Sequence, residues 1–145
     1  MSIYVNTSTI TGAAGLAVTV ESHIATGLPG FTILGRPDDV CRESRDRVRA
    51  AVLSSGFVWP SRRITINLAP SGVKKAGSAL DLAIAIAVLV ADEQIAVPDL
   101  DRHAFLGELG LDGSIRAIPG VAPMAAVHRE RALVVPGGNA HEAEI

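Results

Sequence analysis

The chain has 145 residues, with 48% hydrophobic and 19% charged side chains, Lys+Arg 13 against Asp+Glu 15, and a formal net charge of −2. This composition excludes intrinsic disorder, supplies one domain's core, and falls short of two ordinary domains. Bulk charge gives no pull toward nucleic acid or membrane, the longest apolar stretch (82–91) is too short to span a bilayer, and one cysteine excludes an internal disulfide framework. The expectation is a soluble, cytoplasmic α/β domain occupying residues 1–145.

In chain order, residues 3–10 and 16–24 alternate around Gly12-Ala13-Ala14-Gly15, which predicts a hairpin. Gly27-Leu28-Pro29-Gly30 is a turn, and 31–34 a third strand. Asp38 is the expected N-cap of a helix running to about Ser55 and stopped by Gly56. Its inward stripe is Val40, Ser44, Val48, Ala51, Val52 and Ser55, while Glu43 and Arg47 form an i,i+4 pair. Residues 62–68 alternate as a strand with Ile64, Ile66 and Leu68 inward, and 70–77 form a loop holding Lys74 and Lys75. The segment 78–92 is so apolar that it predicts a helix buried nearly all round. A charged linker leads to a strand over 104–109, a tight Asp112-Gly113 turn, a return over 115–118, a helix over 121–129 and a last strand over 132–135. The final residues, 139–145, read as the first turn of a helix cut short, so a fragment with a further C-terminal domain is expected.

Several chemistries fail on residue spacing. Neither a G-x-x-x-x-G-K-[ST] phosphate loop nor a G-x-G-x-x-G fingerprint occurs, and His23, His103, His128 and His141 are scattered away from Cys41 at no metal-ligand spacing. Cys41 near a helix N-terminus could carry a lowered pKa, but with no base at a readable spacing a structural thiol is the simpler reading. Lys74-Lys75-Ala76-Gly77-Ser78 offers the elements of a Ser-Lys hydrolase: Ser78 as nucleophile and Lys74 or Lys75 as base. The plainer alternative makes Ser78 an N-cap and both lysines solvated loop charges.

Four blocks carry a resemblance. Gly27-Leu28-Pro29-Gly30-Phe31-Thr32-Ile33, Glu43-Ser44-Arg45-Asp46-Arg47-Val48-Arg49-Ala50-Ala51, Arg63-Ile64-Thr65-Ile66-Asn67-Leu68-Ala69-Pro70 and Phe105-Leu106-Gly107-Glu108-Leu109 resemble, in order, the N-terminal domain of the YifB/ComM family. These are the magnesium-chelatase-like AAA+ ATPases of bacteria. The resemblance implies an α/β (α+β) Lon-protease-like domain of the ribosomal protein S-five domain 2-like fold, with a mixed sheet and helices packed on it. It further implies a C-terminal ATPase domain binding ATP and Mg, a hexameric ring of identical chains, and DNA as partner in branch migration. Aligned on the Lon pattern, the nucleophile position is Ala79, with Ser78 one residue early, and the lysine position is Ala122. Neither methyl group can attack or take a proton, so the domain reads as degenerate and non-proteolytic, with an active peptidase using Ser78 as the rival. A metal-insertion role finds no ligand set in the sequence.

Arg42, Arg45, Arg49, Arg62 and Arg63 are the candidates for nucleic-acid contact, the first three spaced i, i+3 and i+7 on one expected helix. Against this stands an ordinary solvated helix face. Few aromatics accompany them, so base stacking has little support.

Overall fold

The predicted hairpin forms from β1 (Ser2–Thr11) and β2 (Ala14–Ala25), antiparallel and in register from Ser2 opposite His23 to Thr11 opposite Ala14. The computed structural model describes residues 2–143. β3 (Gly30–Leu34) leads through α1 (Asp39–Arg42) and α2 (Ser44–Ser54) into β4 (Arg63–Ala69), and then comes α3 (Asp81–Ala91). β5 (His103–Phe105), β6 (Glu108–Leu109), β7 (Ile115–Arg116), α4 (Val121–Ala126), β8 (Ala132–Val134) and α5 (Ala140–Ala143) complete the order. The main sheet is mixed, with strand order β3-β4-β2-β1-β5-β8, and β6-β7 form a separate ribbon. The expected mixed sheet with helices packed on it is what the chain forms.

Side-chain alternation places two apolar clusters on the sheet. Val5, Val18, Val20, Ile64, Ile66 and Leu68 meet α3, whose Leu82, Ile84, Val88 and Leu89 are buried against them. Each such side chain contributes about 1.5–3 kcal/mol when fully buried. On β1 the intervening positions turn the other way: Ile10 joins Leu106, Ile118, Val121 and Met124, and the Ser8 hydroxyl donates to the Met124 carbonyl at 2.8 Å. The hairpin is thus a wall with α3 on one side and α4 on the other. Gly15 permits this approach, because a Cβ there would lie 2.1 Å from the Pro123 carbonyl oxygen.

The structure corrects several expected boundaries. Asp38 is the cap, its Oδ1 accepting from the Cys41 N–H at 2.7 Å, but the helix it opens breaks at Glu43. The break turns Val40 outward and brings Cys41 into the core, while Ser44, Val48, Ala51 and Val52 keep the expected burial and Ser55 is exposed. α3 begins at Asp81 with Leu80 at the cap position, so Ser78 is not an N-cap. The strand expected over 104–109 divides because the chain leaves β8 after Leu106 and Gly107 donates instead to the Ala79 carbonyl at 3.0 Å. α4 ends at Ala126, short of Arg129. Of the expected final helical turn, Ala140–Ala143 is helical; Glu144 and Ile145 lie outside the described residues.

Candidate functional site

The expected Ser-Lys elements are neighbours in sequence but take different partners. The Ser78 hydroxyl donates to Glu108 Oε1 at 2.5 Å. Lys75 is fully buried, and its ammonium donates to the carbonyls of Gly35, at 2.7 Å, and Pro70. Backbone bonds hold it there: Lys75 N–H reaches the Arg36 carbonyl at 2.9 Å, and the Lys75 carbonyl accepts from Asp38 N–H at 2.8 Å. Burial, and then the charge of Arg36, lower the proton affinity of the Lys75 amine. Lys74 instead is exposed. Ala79 is buried beside an apolar hollow of about 290 Å³ bordered by Thr9, Ile10, Val40, Ile118 and Met124; Ala122 sits half-buried on α4.

An ion pair that spacing alone did not reveal joins α2 to α3. Asp81 has no exposed surface and accepts from Ser44 Oγ at 2.5 Å, Arg47 Nε at 2.6 Å, Arg47 Nη2 at 3.1 Å and the Leu109 N–H at 3.1 Å. Burial works against the Arg47 charge, but the hydrogen bond and charge of Asp81 prevail and raise its pKa above the ordinary value. The expected Glu43–Arg47 pair also forms, at 3.3 Å. Ser44 and Arg47 lay within a recognisable block, and the sequence signal that could have found their partner was a lone acidic residue heading an apolar helix. Cys41 is buried beneath this corner. Burial, then Asp38 and Asp81, push its thiol up to about 12, the opposite of the lowered value considered from sequence.

The five candidate arginines do not form one patch. Arg42 pairs with Asp39 at 3.2 Å and borders a cleft of about 480 Å³ together with Arg36, Asp38 and Lys74. Arg45 and Arg49 stand exposed on α2, beyond the break at Glu43. Arg62 and Arg63 lie where β4 begins, level with Gly30, whereas the cleft follows the other end of β3. Four strand residues, roughly 13 Å, separate those ends. Arg36, which no motif marked, has φ of 60°. Its guanidinium donates to the Gly72 carbonyl at 2.7 Å, fixing a left-handed conformation that costs about 1–2 kcal/mol.

Among the described residues no group of three or more metal-ligating side chains gathers, and no helix is long and apolar enough to cross a membrane. The chain matches the family described as subunit ChlI of Mg-chelatase over residues 20–139. It is 43% identical over 140 residues to the uncharacterized protein YifB of Escherichia coli K12, covering 95% of this chain and 28% of that protein. The competence protein ComM of Haemophilus influenzae is 40% identical over 136 residues, 92% of this chain and 27% of its own. The chain belongs to the magnesium-chelatase-like YifB/ComM family. An uncharacterized protein of Mycobacterium tuberculosis is 43% identical over 139 residues, 94% of this chain and 28% of its own. The chain therefore spans little more than a quarter of the length of the relatives it matches.

Proposed function

We propose that this chain is a non-proteolytic, Lon-like module of a cytoplasmic magnesium-chelatase-like AAA+ ATPase, serving ring assembly and DNA contact in an ATP-dependent DNA-remodelling or branch-migration protein. The observation that carries the non-proteolytic part is the divergence of the two dyad elements: Ser78 donates to Glu108, and Lys75 spends its ammonium on two carbonyls. A Ser-Lys mechanism needs the amine on the nucleophile's proton, and here neither group reaches the other. Ala79 and Ala122, at the positions that the resemblance assigns to the dyad, agree with this.

ATP and Mg would be bound by residues outside this chain. The one glycine-spaced lysine stretch, 72–77, keeps Lys75 pointing into the protein rather than toward a phosphate, so these residues do not fit the nucleotide. DNA contact is supported by the exposed arginines and by the family's ComM member, named as a competence protein. A single copy with net charge −2 would hold DNA weakly, and a hexameric ring would gain by presenting many copies.

The test is a fluorophosphonate probe with a casein turnover assay on the purified chain. No label on Ser78 and no turnover is expected. Labelling of Ser78, with casein cleavage abolished by Ser78→Ala, would establish the active-peptidase alternative with Ser78 as nucleophile.

A further inference from the structure

The cleft between the β3–α1 corner and the Lys74 loop gathers positive charge on a chain whose net charge is −2. Arg36, Arg42 and Lys74 border it, with Asp38 and Asp39 among them. The two carboxylates oppose them unequally. Asp38 is committed to the backbone, accepting from Cys41 N–H at 2.7 Å and from Gly77 N–H at 3.3 Å. Asp39 is 97% exposed and meets Arg42 only through a solvated pair, the weakest class of ion pair. Lys74 has no ion-pair partner among the described residues.

Next in sequence to Lys74, the buried Lys75 ammonium rests on the Gly35 and Pro70 carbonyls with no carboxylate at ion-pair distance among the described residues, so its charge adds to the field of this corner. The two cations are tied through the backbone, the Lys75 N–H donating to the Arg36 carbonyl at 2.9 Å, and the Arg36 charge lowers Lys75's proton affinity after burial. Arg36 itself is locked: a backbone in the left-handed region, with its carbonyl and guanidinium both hydrogen-bonded across the corner. Such an outlier, held by its surroundings, is the kind from which a binding role is inferred.

We propose that this cleft takes one phosphate group, with the guanidiniums of Arg36 and Arg42 and the ammonium of Lys74 as its ligands. Planar guanidinium forks match tetrahedral oxyanions, and a lysine adds a mobile third charge. The proposal rests on the reading that the chain contacts DNA, and it moves that contact from the α2 stripe to the corner of the fold. A phosphodiester in a DNA backbone and free inorganic phosphate share this chemistry.

The experiment compares three forms of the chain: wild type, the Arg42→Gln/Lys74→Glu double variant, and Arg45→Gln/Arg49→Gln. All substituted side chains are exposed, and circular dichroism checks that each variant is folded. Inorganic phosphate is titrated with amide NMR shifts as the readout, and a short DNA duplex with fluorescence anisotropy at several salt concentrations. In wild type, phosphate shifts should concentrate in residues 36–42 and 72–77. Arg42→Gln/Lys74→Glu should abolish them, weaken duplex binding about tenfold and flatten the log–log salt slope by about one. Arg45→Gln/Arg49→Gln should change neither. Unchanged phosphate shifts and unchanged duplex affinity in the cleft variant would overturn the proposal. Duplex binding lost only in the α2 variant, with phosphate shifts unchanged in the cleft variant, would overturn it too, while leaving DNA contact standing. Phosphate shifts lost with duplex affinity intact would uphold the cleft as a site for free phosphate and move DNA contact to another surface of the chain.

Discussion

Replacing Asp81 by alanine should be among the most damaging single changes in this chain, and the structure says by how much. The carboxylate has no exposed surface and receives four hydrogen bonds, from Ser44, twice from Arg47 and from the Leu109 backbone. Alanine would strand a guanidinium that is only 16% exposed, a buried hydroxyl and a buried N–H. Removing one member of a buried ion pair costs about 3–5 kcal/mol. Arg47 keeps Glu43 at 3.3 Å and the Val40 carbonyl at 2.9 Å, so the lower end of that range applies, about 3 kcal/mol. With about 2.1 cal/mol/K of unfolding entropy per residue, a chain of 145 residues loses about 3 °C of Tm per kcal/mol. The expected fall is therefore about 10 °C, read by thermal circular dichroism and by urea midpoints at constant m. The Asp81→Leu/Arg47→Met pair, which leaves no orphaned charge, should recover most of the loss. A fall of under about 3 °C for Asp81→Ala, or no recovery in the double variant, would refute the reasoning.

Three further outcomes follow from burial. Ile84→Asp puts a charge at a fully buried position of α3 and should leave the chain unfolded at 25 °C by circular dichroism, whereas Ile86→Asp, at a half-buried position, should leave it folded but weakened. Burial, then the charge of Arg131, hold the His128 imidazole below its ordinary pKa, and neither ring nitrogen has a hydrogen-bond partner among the described residues. The unfolded chain then takes up the proton first, so stability should fall as pH drops below about 6.5. Urea midpoints between neutral and mildly acidic pH should show that fall, and His128→Leu should flatten it. With its thiol pushed up to about 12 by burial first and then by Asp38 and Asp81, Cys41 should ignore a disulfide reagent in the native chain and react rapidly in urea. Fast native labelling would contradict its placement.

What could be read in advance was whatever depends on period. Alternation located the hairpin and β4, the unbroken apolar run located α3, and Asp38 announced its own capping role. What could not be read depends on partners distant in the chain. Lys74 and Lys75 are identical in type and adjacent, yet one is exposed and the other buried, because a bridge from Pro37 to Lys75 orients the loop. Arg36 was invisible as a candidate because its role in the cleft arises from a corner conformation and not from a spacing. The stripe over Arg42, Arg45 and Arg49 assumed an uninterrupted helix, and the break at Glu43 sends Arg42 toward Lys74 instead. The split between β5 and β6 likewise follows from Gly107 meeting the Ala79 carbonyl, a contact that local pattern does not encode.

The strand order also bears on how the chain is made. β2 and β1 pair within a hairpin, and β5 then finds β1 waiting, so these strands can dock as they emerge from the ribosome. β3 cannot. It lies outside β4, so residues 30–34, with Phe31 and Ile33, are synthesised before the strand they pair with, and the helical corner and its turn must emerge first. At about 5–20 residues per second, that interval of some thirty residues lasts about 2–6 s. During it an apolar, unpaired strand is open to the wrong neighbours, the β3 segments of other copies of the chain among them.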